Sequence, residues 1–523
     1  MKPVTTAQMR ELERRTIEEA GLKGEELMDR AGEAVAAMVK RLAELTGYQT
    51  PLVHLVAGRG NNGGDAFAAA RYLREAGFDI EIWLAGSHDQ LQGAALLHYG
   101  KLKTLKIKVH DLPTLDDWKM ARARPFVAEI IVDGVLGTGL TGPARGPAAG
   151  AIQYINSQAG ESIVVAIDVP SGLDADRGSA EGDVVTADVT VTFGQPKQGL
   201  LLASALEHVG ALEVSDIGIP REYVLDTLGE TERELIHPSD LRPLFRRRSR
   251  ASHKGDYGHV LMIGGSRGMS GAIALAARAG LRAGAGRVTV LAPAGTASAL
   301  VGLTPEVMVQ AGAETPAGTL DPAVWAQWRE RVDGFSAVLV GPGLGRDDGL
   351  RGIVRNLVRE CQAPLVLDAD ALWLLAGQPE YLGKAQRPCL VTPHPGELAA
   401  LLGSEVAQVQ ADRGASARRL AELTRGVVAL KGAGTVVTQA GQPLHINLTG
   451  NPGLAKAGTG DVLAGIITAL VGQGFGALDA ARAGVYLHGR AGDLVAWRKS
   501  QSGLLASDVI EELPFAFRDV TLR

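Results

Sequence analysis

Residues 52–76 read LVHLVAGRGNNGGDAFAAARYLREA, in the order strand, glycine turn, helix. Leu52–Ala57 is a short apolar run suited to a buried strand, and residues 66–76 are alanine-rich and amphipathic. The same alternation extends in both directions. Strands are expected at 80–85, 130–132 and Ile163–Ile167. An opening helix is expected on Met9, Leu12, Ile17, Leu27 and Met28, with Thr5 or Thr6 as its N-cap. Strands alternating with helices predict a mostly parallel sheet covered on both faces. Near 217–220 the pattern stops. Residues 221–250 are polar and end in Arg246, Arg247, Arg248 and Arg250, so a solvated linker is expected there rather than a basic patch for nucleic acid. A second series begins at His259–Ile263. It continues through 288–291, Ala337–Val340, Leu365–Leu367, 390–392 and Val427–Leu430. The fold class is α/β in two domains, 1–220 and 251–523, joined by 221–250.

Bulk properties agree with that division. A chain of 523 residues exceeds what one hydrophobic core usually supports. Its 46% hydrophobic and 21% charged residues are an ordinary balance for a soluble globular protein. A net charge of −5 argues against a nucleic-acid or anionic-membrane binder. Cys361 and Cys389, the two cysteines, sit beside apolar runs, so a disulfide framework is not expected and a reducing cytoplasm fits. The start, MKPVTTAQMRELERRT, lacks a continuous apolar segment, so no signal peptide is expected. No apolar stretch reaches the ~18 residues of a membrane span. Glycine, with 67 residues, is roughly twice its ~7% average share, which points to backbone brought close to ligands or to other backbone.

The sharpest local signal is AGTGD, Ala457 to Asp461, ahead of VLAGIITAL. Val462, Leu463, Ile466, Ile467 and Leu470 fall on one helical face, which puts Gly458, Thr459 and Gly460 at a helix N-terminus. Backbone N–H groups converging there suit an anion. Asp461 beside them can take the proton of a hydroxyl that attacks a phosphoryl group, or it can be a helix-start charge. Lys431, Gly432, Ala433, Gly434 and Thr435 form a strand-end loop able to cradle phosphates. Asn451-Pro452-Gly453 and Lys456 lead into the glycine turn. The runs 341–345 (GPGLG) and 392–397 (TPHPGE) also follow strands. Several such loops at strand ends in one domain indicate a ligand crevice.

In the N-terminal half, Gly58, Gly60 and Gly63 match a GxGxxG spacing, a weak signal alone. The run Asn61, Asn62, Gly63, Gly64 and Asp65 is more informative, since it combines free N–H groups with amide and carboxylate oxygens. The alternative is a tight turn with Asp65 as N-cap. Asp133 closes the strand at 130–132, ahead of Gly137, Thr138, Gly139, Leu140, Thr141, Gly142 and Pro143. Asp168 closes another, ahead of the turn that carries Pro170 and Ser171. That turn fixes its direction and makes it the better candidate for chemistry, although a bare aspartate there is also a turn former.

Seven segments of the C-terminal half occur in a telling order: HKGDYGHVLMIGGS, MSGAIALAARAGLRAGAG, GPGLG, LDADAL, TPHPGEL, KGAGT and NPGLAKAGTGDVLAG. Over about 250–510 they resemble the ADP- or ATP-dependent NAD(P)H-hydrate dehydratases of the ribokinase-like superfamily. The resemblance implies phosphorylation of a hydrated NADH or NADPH from ADP or ATP, with loss of phosphate restoring the cofactor. It implies Asp461 as base, and Lys431, Gly432, Ala433, Gly434, Thr435, Asn451, Gly458, Thr459 and Gly460 as nucleotide contacts. Ala272, Gly343 or Gly345, and His394 would line the hydrate site, with His394 alternatively a packed loop residue. Magnesium would accompany the nucleotide, with Glu397 either assisting through water or capping a helix. Lys456 stands where a small residue is expected; charge near phosphate and exposure to solvent both remain open.

Residues 1–220, with LMDRAG at 27–32, resemble the NAD(P)H-hydrate epimerase domain, which implies a Rossmann-like three-layer fold. That family interconverts the two epimers of the same hydrate and uses potassium. By motif, Asn62, Asp133 and Ser171 would ligate potassium. Residues 61–65 and 137–143 together with Asp168 would bind the hydrate, and Asp168 would be the acid/base. Ala66 departs from the usual glycine and adds only a methyl. An epimerase would supply a stereospecific dehydratase with the epimer it cannot use. Two rivals remain: a small-molecule kinase of the ribokinase superfamily, and an N-terminal half that binds without catalysis. Exposed apolar helices in Gly/Ala-rich enzymes often mediate assembly, so a homo-oligomer is expected.

Overall fold

The computed structural model describes residues 1–123, 128–140 and 142–521. It divides into two compact units, Met1–Thr231 and Glu232–Arg523. The first helix, Thr6–Glu18, starts at a capping box. Thr5 Oγ1 accepts from Gln8 N at 3.1 Å, and Gln8 Oε1 accepts from Thr5 N at 2.9 Å.

Among the described residues the first unit contains seven parallel strands: β1 (Leu52–Ala57), β2 (Asp79–Leu84), β3 (Val109–Asp111), β4 (Ile130–Gly134), β5 (Ile163–Ile167), β6 (Val189–Phe193) and β7 (Ala211–Ser215). Their order is β3-β2-β1-β4-β5-β6-β7. Leu55 of β1 is opposite Ile82 on one side and Val132 on the other. The order therefore reverses at β1/β4, and a crevice opens at their carboxyl ends.

The second unit holds β8 (Arg233–Leu235), β9 (His259–Ile263), β10 (Arg287–Pro293), β11 (Met308–Gly312), β12 (Ala337–Val340), β13 (Leu365–Leu367), β14 (Leu390–Val391), β15 (Val427–Leu430), β16 (Thr435–Gln439) and β17 (Leu444–Asn447). They are ordered β11-β10-β9-β12-β13-β14-β15-β16-β17-β8, with β16 antiparallel to both neighbours. Here the order reverses at β9/β12. The helix Thr459–Gly472 is buried around nearly its whole circumference rather than on one face, and it packs against the helices Ser270–Arg282 and Ala477–Arg498.

Residues 221–250 differ from the linker expected of them. Arg221–Leu228 is a helix packed on Thr6–Glu18, and Arg233–Leu235 is the edge strand β8, parallel to β17. Leu235 and Ile236 are buried and supply the apolar anchor, while the polar neighbours stay in water at the sheet edge. Arg248 lies 3.8 Å over the Tyr257 ring and donates to Gly284 O at 2.9 Å. Among the described residues no helix is long and apolar enough to cross a membrane.

Candidate active sites

Asp168 stands at the carboxyl end of β5 in a left-handed conformation, φ 64°, unusual for a residue with a side chain. Strain of this kind persists only where surrounding contacts over-determine it. Here Asp168 Oδ1 accepts from Thr192 Oγ1 at 2.9 Å and from the buried ammonium of Lys197. Lys197 Nζ also donates to Thr192 Oγ1 at 3.1 Å and Phe193 O at 3.2 Å. An ion pair buried in this way fixes geometry more than it adds stability.

Above it opens a cavity of about 800 Å³, within the usual range for a small-ligand site. Asn61, Asn62, Asp65, Gly137, Thr138, Gly139, Leu140, Asp168 and Lys197 line it, as do Arg10 and Glu13 of the first helix. The helix begins at Asn61 rather than at 66, with Gly60 as N-cap, so Asp65 lies inside the helix and is not its cap. Glycine is needed in this turn for close packing. A Cβ on Gly63 would lie 1.8 Å from Gly58 O, and one on Gly58 1.9 Å from Val135 O. Gly64 abuts Met28. Gly142 and Pro143 lie instead beside Glu181 and Gly182, and Thr141 is outside the described residues. Burial pushes the Asp65 carboxyl well above its ordinary range, and the charges of Asp168 and Glu13 push the same way.

Behind the cavity, Asp133 is fully buried and accepts from Ser171 Oγ at 2.6 Å, Ser171 N at 2.8 Å and Val135 N at 3.2 Å. Burial pushes its carboxyl up to about 6. Ser171 Oγ in turn accepts from Leu136 N at 2.8 Å, and Asn62 Nδ2 donates to Leu136 O at 2.8 Å. Asn62, Asp133 and Ser171 thus meet around Leu136. Their donors are all oxygen with one formal charge, which suits a monovalent cation better than a divalent one.

In the second unit, Asp461 occupies the first turn of Thr459–Gly472, and Gly458 is its N-cap with φ 92°. Thr459 Oγ1 ties the turn to Leu454 O at 2.8 Å and Lys456 O at 2.9 Å. Facing the turn is Lys431 at the end of β15. A Cβ on Gly460 would lie 3.4 Å from its ammonium. Lys431 Nζ donates to Asp368 Oδ1 at 2.7 Å and sits 3.7 Å from Glu397 Oε2. Burial alone would push the lysine down, yet Asp368 and Glu397 outweigh it and raise it. Burial, then Asp368, pushes Asp461 up to about 7 against the pull of Lys431. A carboxyl poised there suits a general base at neutral pH.

The other residues expected at this site fall around that centre. Gly343, φ 59°, lies against Met269 and Ala272, and a Cβ added to it would be 3.3 Å from Ala272 Cβ. Gly345 N donates to Asp370 Oδ2 at 3.0 Å. His394 caps the helix Pro395–Leu402, with its Nδ1 accepting from Gly396 N and Glu397 N, while Glu397 Oε2 accepts from His394 N at 2.8 Å. Glu397 is therefore both a helix cap and a neighbour of Lys431. Burial and the Lys431 charge push His394 down. Gly432, Ala433, Gly434 and Thr435 form the β15–β16 turn, where Thr435 Oγ1 donates to Gly432 O at 2.9 Å. Asn451 turns inward, donating to Asp493 Oδ1 at 3.0 Å. Lys456 is exposed, and its ammonium donates to Ser502 O at 2.5 Å and Leu504 O at 2.8 Å.

Sequence comparison places this geometry. A profile of the NAD(P)H-hydrate dehydratase family matches residues 260–515, and one described as YjeF-related protein N-terminus matches 24–199. A bifunctional NAD(P)H-hydrate repair enzyme of Moorella thermoacetica is 38% identical over 517 residues, covering 99% of this chain and 97% of its own. The chain belongs to the bifunctional NAD(P)H-hydrate repair enzyme family. Its Escherichia coli relative is 37% identical over 502 residues, covering 96% of this chain and 91% of its own. A crystal structure of the ADP/ATP-dependent NAD(P)H-hydrate dehydratase of Bacillus subtilis, co-crystallised with ATP and Mg2+, is 29% identical. It covers 55% of this chain and 98% of its own, with a TM-score of 0.48. Both halves of the repair family are thus present in one chain. Lys197 and Glu13 escaped the sequence reading. Lys197 is an isolated lysine whose importance comes from burial under Asp168, and Glu13 belongs to a helix outside the profile match.

Proposed function

We propose that this chain restores NADH and NADPH from their hydrates in two steps: interconversion of the R and S hydrates by residues 1–231, and nucleotide-dependent dehydration of the S form by residues 232–523. The observation that carries it is a carboxylate set beside a lysine in each unit. Asp168 is braced by Lys197, and Asp461 stands beside Lys431 at a glycine turn. In the dehydratase, Asp461 takes the proton of the hydrate's hydroxyl as that oxygen attacks the terminal phosphoryl group of ADP or ATP. The amides of Gly458, Thr459 and Gly460 receive the charge that develops. Phosphate then leaves with a ring proton, giving NAD(P)H, phosphate, and AMP when ADP is the donor.

The β15–β16 turn, residues 431–435, and Asn451 hold the nucleotide; Ala272, Gly343, Gly345 and His394 hold the hydrate. Magnesium enters with the nucleotide phosphates, and the carboxylates around Lys431 are ligands of the kind it takes. In the epimerase, residues 61–65, the loop 137–143 and Asp168 receive the hydrate, and Asp168 transfers its proton. Asn62, Asp133 and Ser171 hold potassium, whose positive charge supports the fold of the β4 and β5 loops. A cytoplasmic homo-oligomer fits the same reading, supported by the exposed Val301, Leu303 and Met308 at one sheet edge. The test is incubation of purified NADH hydrate epimers with ADP, then ATP, following return of the reduced-nicotinamide absorbance. No return with either nucleotide would refute the assignment.

A further inference from the structure

The epimerase cavity holds more acid than its proposed chemistry uses. Asp65 lines it from the helix Asn61–Glu75, at the end of β1. Among the described residues its carboxyl makes no hydrogen bond and no ion pair. Asp168, from the end of β5, is held by Lys197 and Thr192. The charged groups facing Asp65 are Asp168, Glu13 and Lys197, and Arg10, which also lines the cavity, acts on Glu13. One carboxyl is thus fixed by a lysine, and the other is free of partners and open to ligand. Two carboxyls in environments this different divide naturally into an acid and a base.

Water added across an enamine double bond leaves the hydroxyl on the carbon bonded to the ring nitrogen, whose lone pair can expel it, so inversion there can run through a C–O bond broken and remade. We propose that Asp65 is the general acid of epimerisation, protonating the departing hydroxyl, with Asp168 taking a proton from the water that adds to the opposite face. The nitrogen lone pair forms the C=N bond as the C–O pair leaves with the water. The incoming water forms the new C–O bond, and a proton passing from Asp168 back to Asp65 resets the pair. One water leaves and one enters, with no redox change. Burial and the Asp168 and Glu13 charges raise the Asp65 carboxyl and so favour its protonated form, which is the form an acid requires.

The assignment rests on the epimerase reading and is tested in the full chain. R hydrate is supplied without nucleotide so that the dehydratase stays silent, and thermal unfolding of the first unit serves separately as the control for folding. Asp65→Asn should lower kcat for interconversion ~10²–10⁴-fold with KM within a few-fold, and should abolish the fall of kcat at alkaline pH. Asp65→Glu should recover part of the rate and keep that alkaline limb. In oxygen-18 water, the unaltered protein should place one solvent oxygen in the hydrate per inversion. Asp65→Asn turnover within a few-fold, a loss confined to KM with the alkaline limb intact, or retention of the original oxygen would each overturn the proposal alone. An unaltered protein that interconverts nothing would overturn the epimerase reading, and this assignment with it.

Discussion

Asp461 offers the sharpest quantitative test. Its carboxyl is raised from 3.8 to about 7, mainly by burial and next by Asp368, with Lys431 opposing. A base works only when ionised, so dehydration should rise with pH through this value and fall as pH drops below it. With a pKa of about 7, about nine-tenths of the enzyme carries ionised Asp461 at pH 8 and about one-tenth at pH 6, by mass action. The rate should therefore drop roughly tenfold between those points, where an ordinary aspartate would give no change. The assay is the initial return of reduced-nicotinamide absorbance from S hydrate with ADP, expressed as kcat/KM, which reports the free enzyme. Asp461→Asn should remove the acid limb and lower the rate ~10²–10⁴-fold while calorimetry shows nucleotide affinity nearly unchanged. A flat profile from pH 8 to 6, or an asparagine variant within a few-fold, would refute the reasoning.

Lys431→Ala strands Asp368 and Glu397 without their cation, so denaturant unfolding should show a loss of ~3–5 kcal/mol in the second unit. In the surviving enzyme the Asp461 limb should move to higher pH, because the charge that lowers it is gone. Gly63→Ala drives a methyl into Gly58 O and should cost ~1–3 kcal/mol or more, read as a lower melting temperature together with lost epimerisation. Asp133→Ala or potassium removal should slow epimerisation, measured by chromatography of the epimers, and leave dehydration of S hydrate unchanged. Cutting between Thr231 and Glu232 should give two soluble, active fragments, whereas cutting after Arg250 removes β8 and should destabilise the dehydratase fragment by calorimetry.

The sequence announced the central strands most clearly. Leu52–Ala57, Ile163–Ile167 and Ala337–Val340 are apolar throughout or nearly so because both of their faces are covered, and they begin and end where the run of apolar residues does. The edges were harder to read. β8 is three residues in a polar stretch, and only pairing with β17 makes it a strand. β6, VTVTF, alternates with threonines that stay buried, and Thr192 turns out to hold Asp168. The helix at Asn61 starts on residues of weak propensity, so its onset follows from tertiary packing of the glycine turn rather than from local preference. The site divides along the same line. Glycine turns and strand-end aspartates carry local signatures, as at 58–65 and 457–461. Partners brought from distant segments, such as Lys197 under Asp168 or Ser502 and Leu504 around Lys456, carry none.

The central claim is that two sites in one chain jointly rescue both epimers. Its most direct test is a mixture of R and S NADH hydrates treated with ADP, comparing the unaltered chain with Asp168→Asn and following reduced-nicotinamide absorbance. The account predicts return of the whole mixture by the unaltered protein, and by Asp168→Asn a fast phase equal to the S share followed by a stall. Complete return at the normal rate by Asp168→Asn, or no return by the unaltered chain with ADP or ATP, would contradict it.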